Sequence, residues 1–308
     1  MLREKLQRTK SSLKKNWRFY RRNRLGMAGL GILVFFAVLA VFADYIAPYD
    51  PLAHESWWVG PALAPPSWIT LFIPTIPVEE TFGIFGTDEM GRDIFSMIVY
   101  GTRVSLFIGL CSALVVNLIG LAVGIFSGYF GGKTDTVLMR ITDMVLVMPF
   151  IPLLIVLAAI VGPSLINMVL LFGVVGWAFT ARLVRSQVVK EKERTYIEVA
   201  RGLGGKDSYI MRRHILPNVT PLLFANAVAV AASFVMAEAS LSFIGLGDPN
   251  HISWGMVIYY ALQNKAPLLG AWWYVVPPGI CITLMVLSLI FIGQALDDIL
   301  NPRLRKRR

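Results

Sequence analysis

The segment EVARGLGGKDSYIMRRHILPN, residues 198–218, interrupts a chain that is otherwise built from long apolar runs. It carries charged side chains and divides around Gly202, Gly204 and Gly205. Its last residues include Pro217. Glycine readily adopts the left-handed conformation that closes a helix, and proline stops one helix and suits the first turn of the next. The segment therefore predicts a helix, a glycine turn and a second helix between two apolar spans.

The two predicted helices carry different local signals. The first covers residues 196–203 and places Ala200 and Gly204 in one row of small residues. The second follows the glycines, and Asp207 or Ser208 is predicted to cap its N-terminus. Two interpretations remain open from the residues alone. The segment is either an amphipathic helix on lipid headgroups or a docking surface for a partner protein, which the small row favours.

Composition assigns the chain to the membrane. Hydrophobic residues make up 56% of the 308 residues, and the mean hydropathy is +0.63. They are grouped in blocks close to the roughly 20 residues that cross a bilayer core. Six spans are predicted, the third interrupted by two prolines: Met27–Phe42, Ser105–Ser127, Val137–Val161, Leu165–Thr180, Pro221–Ile244 and Trp273–Gly293. The fold class is therefore an all-α integral membrane protein with about six transmembrane helices.

The net charge of +10 is concentrated in particular segments. Of the 29 Lys and Arg residues, ten precede Gly26, nine lie from Arg182 to Arg213, and five from Arg303 to Arg308. The loop of residues 43–100 instead carries eight acidic residues and one Arg. Because cytosolic loops are enriched in Lys and Arg, both termini and the 198–217 segment are predicted in the cytosol. No aromatic–basic module accompanies the charge, so nucleic-acid binding is not expected.

The loop of residues 56–85 is rich in Trp, Pro and Phe. A disordered linker is usually poor in aromatic residues, so this composition predicts an ordered segment. Two placements remain open: the loop packs against another surface, or it lies on the membrane.

Few residues point to catalysis or to ligand chemistry. The motif SGYFGGKT at Ser127–Thr134 resembles a phosphate-binding loop, but it follows a span rather than a buried strand, so a glycine turn is favoured. Cys111 and Cys281 lie in apolar blocks and are predicted to be buried apolar side chains. Three isolated histidines give no metal-ligand spacing. The chain is therefore not expected to be an enzyme, to hold a metal or to hydrolyse ATP by itself.

Two acidic residues lie within or at the edge of predicted spans. Asp143 follows Arg140 by three residues, which predicts a structural ion pair. Glu238 lies deeper and is the candidate pathway residue, because intramembrane carboxylates often mark transport routes. A secondary carrier that works through Glu238 without an ATPase is the alternative that this residue supports.

The 198–217 segment resembles a known signature. Its spacing matches the EAA signature of binding-protein-dependent ABC importer permeases at Glu198, Ala200, Gly204, Leu216 and Pro217. In that family this loop is the coupling helix that seats in a cleft of the ATP-binding subunit. Val199 departs from the usual Ala, and His214 stands where the signature has Ile. The resemblance implies ATPase docking and coupling by Glu198, Val199, Ala200, Arg201, Gly204, Leu216 and Pro217.

Further stretches resemble the C-type permease subunits of dipeptide and oligopeptide importers. They are GTDEMGRDIFSMIVYGTRVSLFIGL (86–110), GYFGGKTD, ASLSFIGLG with SWG after it, and LDDILNPRLR. The loop of residues 56–85 is longer than usual for the family. The resemblance implies a type I ABC importer fold with four parts: an arm and first span (1–45), an extracytoplasmic loop (46–100), a five-span core (101–296) and a basic tail (297–308).

The function implied by the resemblance is half of a translocation pathway for dipeptides or oligopeptides. The implied partners are a second homologous permease, two ATP-binding subunits that hold ATP and Mg, and an extracytoplasmic solute-binding protein. The implied location is a prokaryotic inner membrane with both termini cytosolic, and no cofactor is implied in this chain. Nickel chelates and oligosaccharides are alternative solutes of the same subunit type. An intramembrane enzyme is a third alternative, without polar catalytic groups in the spans to support it.

Overall fold

The chain forms a helical bundle in a computed structural model that describes residues 17–53, 58–73 and 77–300. In chain order the α-helices are α1 (Arg24–Val41), α2 (Ala43–Ile46), α3 (Ile94–Phe130), α4 (Gly132–Val147), α5 (Phe150–Val161), α6 (Leu165–Lys192), α7 (Thr195–Gly202), α8 (Asp207–Ile210), α9 (Leu216–Phe243), α10 (Trp254–Gln263) and α11 (Val276–Leu300). Most of the predicted basic arm, up to residue 16, and the tail from residue 301 lie outside the described residues.

The six predicted spans correspond to five long helical segments and one bent helix pair within the described residues. The pair is α4 and α5, whose axes turn by 88°. Met148 stands at the break with extended backbone (ψ 132°), the conformation favoured before a proline, and Pro149 follows it. The third predicted span is therefore two helices that meet nearly at a right angle.

Helix α3 is longer than predicted. It has 37 residues and begins at Ile94, whereas the second predicted span begins at Ser105. Asp93 caps its start by accepting a hydrogen bond from the backbone N–H of Ser96 at 2.9 Å. Arg103 lies within the helix and pairs with Asp44 at 2.8 Å. The predicted boundary between loop and core, after residue 100, therefore falls inside α3.

Glycines spaced four residues apart allow α3 and α6 to approach closely. A Cβ added to any of the three would come within 2.8 Å of an α6 side chain. The glycines and the residues they face are Gly120 with Thr180, Gly124 with Val184, and Gly128 with Val188. Small residues at this spacing are a common means of packing membrane helices, since they let the backbone of one helix approach its neighbour closely. This stripe fixes the central helix pair of the bundle.

The bundle has two ends, which contacts between helix termini identify. At the end called here the basic end, Asn23 before α1 donates a 3.2 Å hydrogen bond to Asp298 of α11. Lys192, the last residue of α6, donates to a carbonyl in the last turn of α3 at 2.8 Å. At the opposite end, the loop end, Arg103 of α3 donates to the carbonyl of Ala40 of α1 at 2.6 Å. The N-terminus of α1 and the C-terminus of α11 therefore both lie at the basic end. Residues 192–217 lie at the same end.

Residues 86–93 and α10 cover the loop end, and α10 is a helix that is not among the predicted spans. Asp88 is fully buried and binds Nε of Arg92 at 2.5 Å. The Arg92 guanidinium lies 5.6 Å from the centre of the Tyr260 ring of α10. Trp254, also fully buried, donates its indole N–H to the carbonyl of Ile98 at 2.9 Å. These contacts hold the outer loop against the bundle.

The long loop of residues 56–85 packs in part on its own chain. Trp68 lies in a short 3₁₀-helix, and its ring centre is 6.0 Å from that of Trp272. Leu71 and Phe72, in the same region, remain 79% and 77% exposed. The first predicted placement, packing against another surface, is therefore correct for Trp68, and that surface belongs to this chain.

Helix α9 continues α8 without a break in the helical backbone. Residues from Asp207 to Phe243 form one 37-residue helical stretch, with a π-helical turn at Met211–Ile215. The prediction that Pro217 ends the second helix is wrong, because the wider π-helical turn precedes Pro217 and accommodates a residue without an N–H at the start of α9. The predicted second helix and the fifth span are therefore one element.

Candidate functional site

The helix–turn–helix of α7 and α8 is anchored to the basic end by three isoleucines. Ile197 on α7, Ile210 on α8 and Ile215 in the π-helical turn are each 0% exposed. They pack in one cluster with Val184 and Val188 of α6. Because Ile197 is the buried residue of α7, the other faces of this short helix are left to solvent or to a partner.

Helix α7 ends in a Schellman turn. The N–H of Gly205 donates to the carbonyl of Ala200, and the N–H of Gly204 donates to the carbonyl of Arg201, both at 3.0 Å. Gly204 has a φ of +83°, a conformation that glycine adopts at little cost. The predicted glycine stop is confirmed. The predicted row of Ala200 and Gly204 is wrong, because Gly204 lies beyond the helix in this turn.

Asp207 ties the turn to α3. The hydroxyl of Tyr129 donates to Oδ1 of Asp207 at 2.6 Å. The Arg201 guanidinium lies 5.8 Å from the centre of the same tyrosine ring. Helix α8 follows Lys206 without a side-chain capping bond, so the predicted cap by Asp207 or Ser208 is wrong. Tyr129 instead holds both helices of the hairpin against the end of α3.

His214 fills a space between two tyrosines. Its ring centre lies 5.8 Å from that of Tyr196 on α7 and 5.7 Å from that of Tyr209 on α8. The Tyr196 hydroxyl donates to Glu191 and accepts from Asn218 at 3.0 Å. Burial and the hydrogen bond with Glu191 raise the pKa of Tyr196 to about 12, so this hydroxyl stays protonated. An aromatic ring at 214 therefore joins α7 to the start of the long helix.

The outward surface of this hairpin carries most of the sequence signature. Glu198, Val199, Arg201, Gly204 and Pro217 are exposed, and Ala200 and Leu216 are half-buried. Leu203, at the tip of the turn, is 84% exposed. No hydrogen bond or ion pair joins the Glu198 carboxylate to another residue of the described ranges. We call this surface, residues 198–204 with Leu216 and Pro217, the docking face: an apolar tip beside an unpaired carboxylate.

Two grooves border α9. The first, of about 370 Å³, lies between α9 and helices α4, α5 and α6. The second, of about 470 Å³, lies between α9 and α11. Both include Ala229 and Ser233, so α9 supplies a shared wall. Concave surfaces of this kind within a bundle are candidate solute sites.

Glu238 lies outside the residues that line these two grooves. Its side chain is buried, and Ser242 donates to Oε1 at 2.6 Å. Oε2 has no hydrogen-bond partner among the described residues. The assignment of Glu238 to the pathway stays a prediction.

Two other sequence motifs have structural explanations. Asp143 pairs with Arg182 of α6 at 2.5 Å, so the predicted pairing with Arg140 is wrong in its partner, because α6 packs beside α4. In the motif that resembles a phosphate-binding loop, Gly131 (φ +67°) joins α3 directly to α4. The favoured interpretation, a glycine turn between helices, is confirmed.

Sequence reasoning missed Asn226, which lines the first groove. The available signal was a single amide inside an otherwise apolar run, LLFANAVAV, and the same signal occurs at Asn117 in ALVVNLIGL. Polar side chains within spans usually face the protein interior or an aqueous cavity.

These features define the class: an all-α membrane protein with grooves along one helix and an exposed, anchored hairpin at one end, as in the transmembrane subunits of transporters. A family model described as "Binding-protein-dependent transport system inner membrane component" matches residues 120–306. A model described as "N-terminal TM domain of oligopeptide transport permease C" matches residues 11–66. The chain belongs to the binding-protein-dependent transport system inner membrane component family, the permeases of ABC importers.

Curated relatives agree with this assignment. The dipeptide transport system permease protein DppC of Bacillus subtilis is 34% identical over 94% of this chain and 85% of its own length. The di/tripeptide transport system permease protein DppC of Pseudomonas aeruginosa is 32% identical over 96% of this chain and 93% of its own. A chain from an inward-facing structure of the MetNI methionine ABC transporter has a TM-score of 0.49 at 22% identity, covering 66% of this chain and 97% of that one. The family membership confirms the predicted permease and does not support a secondary carrier.

Proposed function

We propose that this chain and a second homologous permease subunit form the translocation pathway of a prokaryotic inner-membrane importer for peptides. The relatives support the solute class, because they are named as dipeptide, di/tripeptide and oligopeptide permeases. An importer for nickel chelates or oligosaccharides is the alternative within the same family.

The observation that carries the proposal is the docking face, which is exposed and yet fixed to the bundle. A free amphipathic helix on lipid needs no such anchoring, whereas a surface that receives force from a partner does. Two ATP-binding subunits bind ATP and Mg and dock here, and this chain performs no catalysis itself. Glu198 supplies a polar contact to the ATPase, Val199 and Leu203 supply apolar contacts, and Gly204 maintains the turn.

The connection from the docking face to the grooves is direct. The helical stretch from Asp207 to Phe243 begins next to the docking turn and passes along both grooves. Closure of the ATPase pair displaces α7 and α8, and α9 moves with them. The grooves then alternate between openings at the two ends of the bundle.

The charge distribution supports the proposed orientation. The basic end lies in the cytosol because it carries the Lys- and Arg-rich segments, and the acidic loop end faces the extracytoplasmic binding protein. Both termini are then cytosolic.

Reconstitution tests the proposal. The tagged chain is purified from its native membrane with its bound subunits, and uptake of trialanine into proteoliposomes is measured with the solute-binding protein and with ATP. We expect ATP-binding subunits to copurify and uptake to require ATP. ATP-independent uptake by the chain alone would instead establish the secondary carrier.

Charge reversal tests the docking face itself. Glu198→Lys is expected to lower recovery of the ATP-binding subunits about tenfold, since interface charges that meet like charges cost affinity. Glu193→Lys is the matched control, because Glu193 is also an exposed acid but lies before α7, outside the docking face. Equal recovery from both variants would exclude Glu198 from the contact.

A further inference from the structure

Three polar side chains from α3, α6 and α9 meet inside the bundle. The amide nitrogen of Asn226 donates to Oδ1 of Asn117 at 3.0 Å and to the hydroxyl oxygen of Thr180 at 2.9 Å. The amide nitrogen of Asn117 donates to the carbonyl of Ala113 at 2.7 Å. Interhelical hydrogen bonds of this kind hold membrane helices together. The network joins the closely packed α3–α6 pair to α9.

The network also fixes which way the Asn226 amide faces. Because the nitrogen of Asn117 is used by its own helix, its oxygen faces Asn226 and requires a donor there. Both N–H bonds of Asn226 are then used, one by Asn117 and one by Thr180. The remaining atom, Oδ1 of Asn226, receives no hydrogen bond from the described residues and is not a buried atom. The Asn226 amide is therefore held in one orientation, and its oxygen is available as a hydrogen-bond acceptor at the groove that Asn226 lines.

The surroundings of this acceptor are apolar. The other residues that line the groove of about 370 Å³ are Val145, Leu146, Met148, Phe150, Val175, Gly176, Phe179, Ala229, Val230, Ser233 and Phe234. The hydroxyl of Ser233 is used by its own helix, since it donates to the carbonyl of Ala229 at 3.2 Å. Charged side chains are absent from this lining. The hydroxyl oxygen of Ser233 and the amide oxygen of Asn226 can therefore both accept a hydrogen bond in this otherwise apolar wall. Of the two, the Asn226 oxygen is the one whose direction is fixed by side chains of neighbouring helices.

The chemistry of the acceptor selects its partner. Acyl chains of lipid carry no donor, so an amide oxygen that faced them would lose its hydrogen bond at a cost. A neutral N–H group flanked by apolar carbon satisfies the oxygen and suits the rest of the lining. The backbone amide of a peptide with small or apolar side chains has this composition.

We propose that Asn226 is a specificity-determining residue of the pathway, whose Oδ1 accepts a hydrogen bond from a backbone N–H of the translocating peptide. The inference rests on the proposed function, because it takes the solute to be a peptide. Asn117 is a positioning residue: its Oδ1 takes one N–H of Asn226 and so holds the Asn226 oxygen toward the groove, while Thr180 accepts the second N–H of the same amide. The contact is made inside the membrane, after the binding protein has released the solute.

The test compares two solutes in the complete complex: trialanine, and trialanine methylated at its central amide nitrogen. For each solute, the rate of ATP-driven uptake is divided by the affinity of the solute-binding protein for that solute. This ratio removes the preference that the binding protein itself shows between the two solutes. One net hydrogen bond corresponds to a preference of up to about tenfold for trialanine in the wild-type complex. In Asn226→Leu we expect this preference to fall to near one, through a raised KM for trialanine.

A second variant distinguishes a contact between Asn226 and the solute from a purely structural role of the hydrogen-bond network. Thr180→Val weakens the network but leaves the groove-facing oxygen in place, so it is expected to slow uptake of both solutes alike and keep the preference. If Asn226→Leu prevents assembly of the complex, the smaller Asn226→Ala replaces it in the test. The same loss of preference for trialanine over its methylated form is expected.

Three results would count against the inference. An unchanged preference in the Asn226 variants would overturn it alone. A preference lost equally in Thr180→Val would reduce Asn226 to a structural role. Failure of the wild-type complex to import trialanine, with import of a nickel chelate or an oligosaccharide, would instead overturn the proposed function.

Discussion

Gly202 and Gly204 differ in one property that decides their roles. A Cβ at either position would meet no atom within 4 Å, but only Gly204 of the two has a positive φ, +83°. A non-glycine residue in this conformation costs roughly 1–2 kcal/mol. Gly204→Ala, and more so the bulkier, charged Gly204→Asp, is therefore expected to lower peptide-stimulated ATPase activity of the assembled complex.

Gly202→Ala is the control for this prediction, because it adds the same methyl group to helical backbone. Gly202 also lies on the docking face, so the two variants share any effect of the added methyl group on partner contact. Gly202→Ala is expected to lose less activity than Gly204→Ala, since alanine favours the helix over glycine. Undiminished coupling in Gly204→Asp would show that the turn is not needed.

Glu238 allows a separate test at the same scale. If it belongs to the pathway, as its depth in the span predicts, Glu238→Gln raises the KM for trialanine uptake while the complex still assembles. Gln retains an oxygen that can accept from Ser242, so the fold is preserved. A lowered Tm with an unchanged KM would contradict the pathway role and assign Glu238 to packing against α10.

His214 shows what the sequence could not supply at this scale. Tyr209 lies five residues earlier on the same helical stretch, but Tyr196 lies 18 residues away and meets His214 only because α7 folds back. The glycine stop was predictable because a helix end is a local feature. The aromatic contact was not, because it depends on the fold of the whole hairpin.

At the level of helices, the close packing of α3 against α6 leads to a prediction about stability. A Cβ at Gly124 would lie 2.6 Å from Cβ of Val184 and 2.7 Å from the carbonyl oxygen of Ala181. Overpacking of this kind typically costs about 1–3 kcal/mol. Gly124→Ala is therefore expected to lower the Tm of the purified complex, measured by thermal unfolding in detergent.

Gly31→Ala is the matched control in another membrane helix. A Cβ there would meet nothing within 4 Å, so we expect the Tm to stay the same or to rise. Equal Tm losses for the two variants would mean that the glycine stripe has no special packing role.

The errors at the element level share a cause. The second predicted span begins at Ser105, two residues after Arg103, but α3 includes Arg103 because Asp44 and the α1 carbonyl of Ala40 satisfy its charge. Pro217 looked like a stop, but a π-helical turn carries the helix past it. In each case a contact or a backbone adjustment, invisible in composition, overrode the local signal.

For the whole molecule, the orientation can be tested by labelling. Glu79→Cys, exposed at the loop end, is expected to react with a membrane-impermeant maleimide on spheroplasts. Ser208→Cys, exposed at the basic end, is expected to react only after permeabilisation. The parent for both carries Cys111→Ala and Cys281→Ala, so that each variant has one thiol. The reverse pattern would invert the proposed topology.

The general architecture was predictable because it follows from length, hydropathy and charge. Five of the six predicted spans are single long helices, and the remaining one is the bent α4–α5 pair. The grooves were not predictable, because α4, α5, α6, α9 and α11 form them through contacts distant in sequence. The single asparagines in apolar runs were the sequence signal that indicated polar groups inside the bundle.

The unbroken helix from Asp207 to Phe243 has a mechanical consequence. At about 1.5 Å per residue, Asn226 lies roughly 28 Å along this rod from its first residue. A tilt of this rod by about 10° would shift Asn226 by roughly 5 Å relative to the docking turn, given that length. The network with Asn117 and Thr180 would have to break on each such stroke and re-form on the return.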